Sequence, residues 1–86
     1  MSARHRQAKR RIRELEQELQ RLRALIESYD VVLADLIERG ADSLSVVVHS
    51  VTCYRSLVVE RLADVKKRLQ VDIVEQARAA SKEREG

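Results

Sequence analysis

The 86-residue sequence contains no proline and only two glycines, one of which is its last residue. A chain so poor in both residues has few positions suited to the tight turns that a sheet requires. Charged residues make up 36% of the chain, which is typical of long, solvent-exposed helices. These absences indicate an all-helical protein built from a small number of long elements.

Cysteine, aromatic residues and long apolar runs are also scarce. The single cysteine, Cys53, excludes a disulfide within the chain and suits a reducing compartment, so we expect an intracellular protein. No apolar run approaches the ~18 residues of a membrane-spanning helix, and we expect no membrane association. Tyr29 and Tyr54 fall on apolar stripes, where we expect them to be buried. No arrangement of catalytic residues is recognisable, so we expect neither enzyme activity nor a cofactor.

Apolar residues recur from position 12 to position 36 in unbroken steps of three and four. A 3.5-residue repeat over four heptads is typical of a helix that packs along a partner helix. In a parallel pair of chains, Arg11 would meet Glu16 and Glu18 would meet Arg23, and both contacts would be attractive. We therefore predict oligomerisation through eight residues, called the seam: Ile12, Leu15, Leu19, Leu22, Ile26, Tyr29, Leu33 and Leu36.

The seam belongs to a predicted helix over residues 8–39. Gly40 follows it, at a position where the left-handed conformation that closes a helix is easiest for glycine. Asp42 or Ser43 is the expected N-cap of a second helix over residues 44–80. Because the predicted turn (40–43) is short, the two helices should be antiparallel and form a hairpin.

The chain therefore divides into three predicted regions. Residues 1–7 form a flexible basic leader, residues 8–80 form one helical-hairpin oligomerisation domain, and residues 81–86 form a loose charged tail. Apolar residues beside the seam, including Leu25 and Val32, would remain uncovered in an isolated hairpin. We predict an all-α fold in which the antiparallel hairpin dimerises into a four-helix bundle. A higher oligomer and a different partner protein remain alternatives, and the direction of the dimer is open.

The start of the second helix is ambiguous because its many β-branched residues favour strands. Strand at residues 44–54 therefore remains an alternative. The spacing of the apolar residues nevertheless favours a helix. Part of it follows an eleven-residue repeat, which predicts that the second helix packs differently from the first. The expected apolar stripe is Leu44, Val47, Val51, Tyr54, Val58, Leu62, Val65, Leu69 and Ile73.

Positive charge is concentrated at the N-terminus. Residues 1–13 contain six basic residues and no acidic one, whereas the remainder has 11 basic and 14 acidic residues. Most of the six are arginines, whose guanidinium groups match phosphate oxygens in pairs. We predict that a homodimer or higher oligomer binds nucleic acid through Arg4, Arg6, Lys9, Arg10, Arg11 and Arg13.

Base-specific recognition is not expected. The chain lacks the asparagine of bZIP basic regions, and its basic stretch is too short to cross a major groove. The expected mode is therefore recognition of the backbone and shape of duplex RNA or DNA. Nodaviral silencing suppressors use helical dimers on double-stranded RNA, and this chain resembles them in shape, which implies a viral RNA-binding protein. The alternative is a structural coiled-coil adaptor or virion component whose basic end docks on an acidic protein.

Overall fold

The computed structural model of the protein describes residues 3–42 and 45–85. In these ranges the chain forms two helices, α1 (Ala3–Glu38) and α2 (Val46–Glu85), and no strand. The helices pack as an antiparallel hairpin that measures 65 × 15 × 15 Å. The predicted all-helical hairpin is confirmed, and the strand alternative is wrong for the described part of the ambiguous segment.

Both helices are longer than the spacing of apolar residues indicated. α1 begins at Ala3 rather than at position 8, because arginine, alanine, lysine and glutamine favour helix even without apolar contacts. α2 continues to Glu85, beyond the predicted end at position 80. The predicted start at position 44 lies outside the described residues, as do positions 1, 2, 43 and 86.

All eight seam residues are half-buried, and they lie against α2 of their own chain. The seam therefore serves contacts within the hairpin. The residues of α2 that face it keep the same steps of three and four: Val48, Val51, Arg55, Val58, Leu62, Val65, Leu69, Asp72 and Gln76. Val65, 2% exposed, is the one buried hydrophobic residue in the described ranges, and the other eight are half-buried.

The residues of α2 that face α1 differ from the predicted apolar stripe at several positions. Val47, Tyr54 and Ile73 are exposed, and Tyr54, expected in the core, has 59% of its surface accessible. Arg55 and Asp72 occupy half-buried positions instead. The reason is geometric: a helix that packs on a regular heptad seam must keep the same 3.5-residue period, whichever side chains fall on it. The expected eleven-residue packing is therefore absent from the described part of α2.

Gly40 closes α1 as the sequence predicts. Its φ of +88° is left-handed, and its N–H donates to the carbonyl of Ile37 over 3.0 Å. The N–H of Ala41 donates to the carbonyl of Leu36 over 2.9 Å, which completes a Schellman motif. The N-cap of α2 is Ser45, whose carbonyl accepts the N–H of His49. Of the two predicted N-caps, Asp42 instead accepts the N–H of Ser45 with its carbonyl, and Ser43 lies outside the described residues.

Two ion pairs join α1 and α2 across the hairpin. Arg61 Nη2 lies 3.0 Å from Glu18 Oε1, and Arg55 Nε donates to Asp30 Oδ1 over 2.7 Å. The first pair joins positions on one side of the seam, where antiparallel helices bring their flanking residues together. Each further heptad therefore moves seven residues forward on α1 and seven back on α2.

Candidate nucleic-acid interface

Three of the six predicted basic residues form one exposed surface on α1, called here the arginine face: Arg6, Arg10 and Arg13. Their spacing of four and three residues places them on the same side of a helix. They span about 10.5 Å of helix axis, since each residue advances the helix by ~1.5 Å. Within the described part of the chain none of the three makes an ion pair, so their charges are available to a ligand.

The other predicted basic residues differ from these three in their position or in their interactions. Arg11 lines a groove between the two helices, together with Asp72 and Glu75 of α2. Lys9 is exposed and makes an interaction with a neighbouring group. Arg4 belongs to α1, and its side chain lies outside the described part of the structure. The six residues therefore share one end of the hairpin but not one face.

Sequence reasoning missed the acidic residues that α2 brings to the basic end. The groove of about 390 Å³ that contains Arg11 is lined by Gln7, Ala8, Asp72, Glu75, Gln76 and Ala79. Two carboxylates beside Arg11 reduce its attraction for a phosphate, because opposite charges nearby already offset it. The short turn after residue 39 determines which parts of the two antiparallel helices lie side by side. The approach of these acidic residues to Arg11 could therefore have been predicted from the sequence.

A second basic cluster, Lys66, Lys67 and Arg68, lies on α2 and is exposed. Arg68 lines a groove with Glu14 and Asp64, among other residues. The cluster carries the same formal charge as the arginine face, but two carboxylates lie beside its Arg68, which makes it a suitable internal control.

The charge of the chain is divided along the rod. Residues 1–20 and 60–86, which meet at the open end, contain 13 basic and 9 acidic residues, a net charge of +4. Residues 21–59, which surround the turn, contain four basic and five acidic residues, a net charge of −1. A polyanion would therefore be drawn to the open end.

His49 and Cys53, four residues apart on α2, are a further pair of possible metal ligands. The Cys53 Sγ lies 3.6 Å from the His49 Nε2, and both residues are exposed. No group of three histidine, cysteine or carboxylate side chains in the described ranges is arranged to hold a metal ion. The pair therefore carries no assignment.

Comparisons of the chain with protein-family models, with curated proteins and with solved structures gave no match. In the part of the chain that the structure describes, no helix combines the length and the apolar character needed to cross a membrane.

Proposed function

We propose that the protein is a homodimeric helical module that binds the phosphate backbone of duplex nucleic acid through its arginine face. Recognition is independent of base sequence, since the three guanidinium groups extend from the outside of one helix. The observation that carries the proposal is the exposed, unpaired alignment of Arg6, Arg10 and Arg13.

The spacing of the arginine face suits a duplex. A duplex presents one phosphate per ~1.7 Å of its axis, so the ~10.5 Å of the face passes roughly six phosphates. Guanidinium groups bind phosphate oxygens in pairs, and they remain charged at all physiological pH values. At this end the described chain has no exposed tyrosine on which a base could stack and no loop that could read base edges. Contacts to the nucleic-acid backbone are therefore favoured.

Dimerisation is supported by the surface that one chain exposes. The hairpin has an accessible surface of 7158 Å². A compact monomer of 9.9 kDa would expose roughly 5,200 Å². The excess of about 2,000 Å² exceeds the ~800 Å² per partner of a standard protein interface. A dimer also doubles the number of arginine faces, which raises the overall affinity for a polyanion.

The salt dependence of duplex binding tests this function. We expect R6A/R10A/R13A to lower the slope of log K against log salt by about 2.7 per chain, at ~0.9 per lost phosphate contact. Fluorescence anisotropy with double-stranded RNA, double-stranded DNA and single strands provides the measurement. The helical hairpin should persist in this variant, because none of the three residues belongs to the seam.

The matched control is K66A/K67A/R68A, which removes the same formal charge from the same end of the rod. Its effect on the slope should be smaller, because Glu14 and Asp64 share a groove with Arg68 and partly offset its charge. Equal losses for the two triple variants would reduce the proposal to attraction by net charge. Unchanged duplex binding by R6A/R10A/R13A would instead favour a structural adaptor whose basic end docks on an acidic protein.

A further inference from the structure

Two further unpaired arginines lie on α1 beyond the arginine face. Arg21 and Arg23 are exposed, and neither makes an ion pair within the described part of the chain. They are called here the mid-helix pair. Arg21 lies eight residues beyond Arg13, the last member of the arginine face. At ~1.5 Å per residue this interval is about 12 Å of helix axis, so α1 carries two separate groups of available guanidinium charges.

Two glutamines occupy the outer surface of α1 between these groups. Gln17 and Gln20 lie four and seven residues beyond Arg13, so they continue the line of the arginine face. Arg21 follows Gln17 by four residues, and Arg23 follows Gln20 by three. Residues three and four apart are neighbours on a helix, so each arginine of the mid-helix pair lies next to one glutamine. Both glutamines are exposed.

The acidic residues of this stretch are confined to the interval between the two groups. Residues 6–13 and 19–26 contain no acidic residue. The three acidic residues between these ranges are Glu14, Glu16 and Glu18. Along α1 the charge therefore changes from basic to acidic or neutral and back to basic. A polyanion lying along the helix would be attracted at both ends of the interval and not within it.

A duplex has a similar alternation, because two phosphate backbones border each of its grooves. A helix that lies across a groove contacts phosphates at both edges and faces sugars and bases between them. The ~12 Å between the two arginine groups exceeds the minor groove of B-DNA, which is about 6 Å wide. The major groove of B-DNA is about 12 Å wide but ~8.5 Å deep. A glutamine on a helix that rests on both phosphate edges does not reach the floor of so deep a groove.

Duplex RNA has a groove that suits both the interval and the glutamines. The minor groove of A-form RNA is wide and shallow, and it displays the 2′-hydroxyl groups of the sugars. A glutamine amide has both a donor and an acceptor, as a hydroxyl group does, so the two groups are complementary. Because α2 packs on the opposite side of α1, only the outer surface of α1 approaches the duplex, and a shallow groove admits such a surface.

We infer that one chain binds duplex RNA across its minor groove. The arginine face contacts one strand, the mid-helix pair contacts the other, and Gln17 and Gln20 bind 2′-hydroxyl groups between them. The inference rests on the proposed function and deepens it, since it names RNA as the duplex and extends the contact along α1. From Arg6 to Arg23 the contact covers 17 residues, or about 26 Å of helix axis.

A duplex could also reach the arginine face across the open end of the rod, where it would continue onto α2. The basic residues there are Arg78 and Lys82, and both are exposed. Glu75 lines a pocket with these two residues and offsets part of their charge. Glu18, the acidic residue nearest in sequence to the mid-helix pair, is instead engaged by Arg61. The path along α1 therefore offers the more available charge.

The first experiment compares two double variants that remove the same formal charge. For a duplex RNA longer than the contact, R21A/R23A should lower the slope of log K against log salt by about 1.8, at ~0.9 per lost phosphate contact. R21K/R23K keeps both charges and should retain the wild-type slope. The control, R78A/K82A, should change the slope by less than R21A/R23A does. An equal or larger change in the control, or an unchanged slope for R21A/R23A, would overturn the inference.

The second experiment tests the glutamines with three duplexes of one length: RNA, RNA methylated at its 2′-oxygens, and DNA. The wild type should bind RNA about ten-fold more tightly than the other two, which lack the 2′-hydroxyl donor. Q17A/Q20A should bind RNA about ten-fold more weakly, as expected for two neutral hydrogen bonds, and DNA with less than a two-fold change. Gln70→Ala removes an exposed glutamine of α2 and should leave all three affinities unchanged.

The results separate this inference from the proposed function. Equal wild-type affinity for the RNA and DNA duplexes, or equal losses by Q17A/Q20A on all three, would overturn the inference alone. Unchanged duplex binding by R6A/R10A/R13A would reject the proposed function itself. Circular dichroism should show wild-type helical content in every variant, because alanine and lysine favour helix.

Discussion

The two ends of the rod differ in the chemical character of their exposed surfaces. At the open end, the outer side of α1 is an arginine face with no apolar residue within it. Near the turn, the exposed surface is apolar over Leu25, Val32, Val47, Tyr54 and Leu57, and the net charge is slightly negative. The same helix pair thus presents a charged end suited to a solvated polyanion and an apolar end suited to a protein surface.

This difference shows that one regular seam can support two unrelated outer surfaces. The seam continues through both halves with the same spacing, and its residues are half-buried throughout. Because the seam requires two positions in every seven, the other five are free to vary along the rod. We expect the two halves to differ in stability as well as in surface chemistry.

The largest expected effect comes from placing a charge in the seam. Leu19→Lys in the open half and Leu33→Lys near the turn replace half-buried leucines at equivalent heptad positions. Each should cost about 2 kcal/mol or more of unfolding free energy, because apolar burial is lost and a charge is partly desolvated. Leu33→Lys should cost roughly 1 kcal/mol more if the second copy adds burial near the turn.

Urea unfolding followed by circular dichroism measures both variants at one protein concentration. Gln20→Lys, an exposed neighbour, should remain within about 0.5 kcal/mol of the wild type and provides the control. Equal costs for the two leucines would remove the expected difference between the halves. A small cost for both would contradict the placement of the seam inside the hairpin.

A smaller effect is expected at the turn itself. Gly40 has a φ of +88°, and a Cβ there would meet no atom within 4 Å, so the cost of Gly40→Ala is purely one of backbone conformation. We expect a loss of about 1 kcal/mol, since left-handed alanine costs 1–2 kcal/mol and restricting the unfolded chain offsets part of it. Thermal unfolding measures the loss.

Gly40→Asn provides the comparison, because asparagine tolerates the left-handed conformation better than alanine does. Its loss should therefore be smaller than that of Gly40→Ala. If both variants match the wild type, the turn contributes little to the stability of the hairpin.

The smallest effects concern the two ion pairs that join α1 and α2. Both pairs include groups that are more than a third exposed, so we expect a coupling of only ~0.2–1 kcal/mol for each. The pair of Arg55 and Asp30 should be the stronger, because Arg55 lies on the half-buried stripe of α2. Double-mutant cycles with R55Q and D30N, and with R61Q and E18Q, measure the two couplings at low and high salt.

Both couplings should decrease as salt increases, because exposed charges are screened. A larger coupling for Arg61 and Glu18 would indicate that the second copy covers that pair. Zero coupling for Arg55 and Asp30 would leave the position of Arg55 on the stripe without a stabilising role.

The seam, the turn and the hairpin were predictable from the sequence because each depends on short-range rules. A step of three and four residues identifies one face of a helix wherever it lies, and Gly40 marks the end of α1 through its own conformational freedom. The basic end was predictable for the same reason, since six basic residues without an acid are visible in the sequence. Each of these predictions holds whichever helix the seam contacts.

The partner of the seam and the face that α2 turns inward were decided by tertiary structure alone. The eight seam residues fit equally well against another chain or against α2, because a heptad specifies a neighbouring helix and not its origin. Hydrophobicity selected Tyr54 and Ile73 for the core, but the period of α1 required Arg55 and Asp72 there instead. The same packing brought Asp72 and Glu75 beside Arg11 and left Arg6, Arg10 and Arg13 unpaired. Which charges remain available therefore depends on contacts between residues sixty positions apart, which no local pattern encodes.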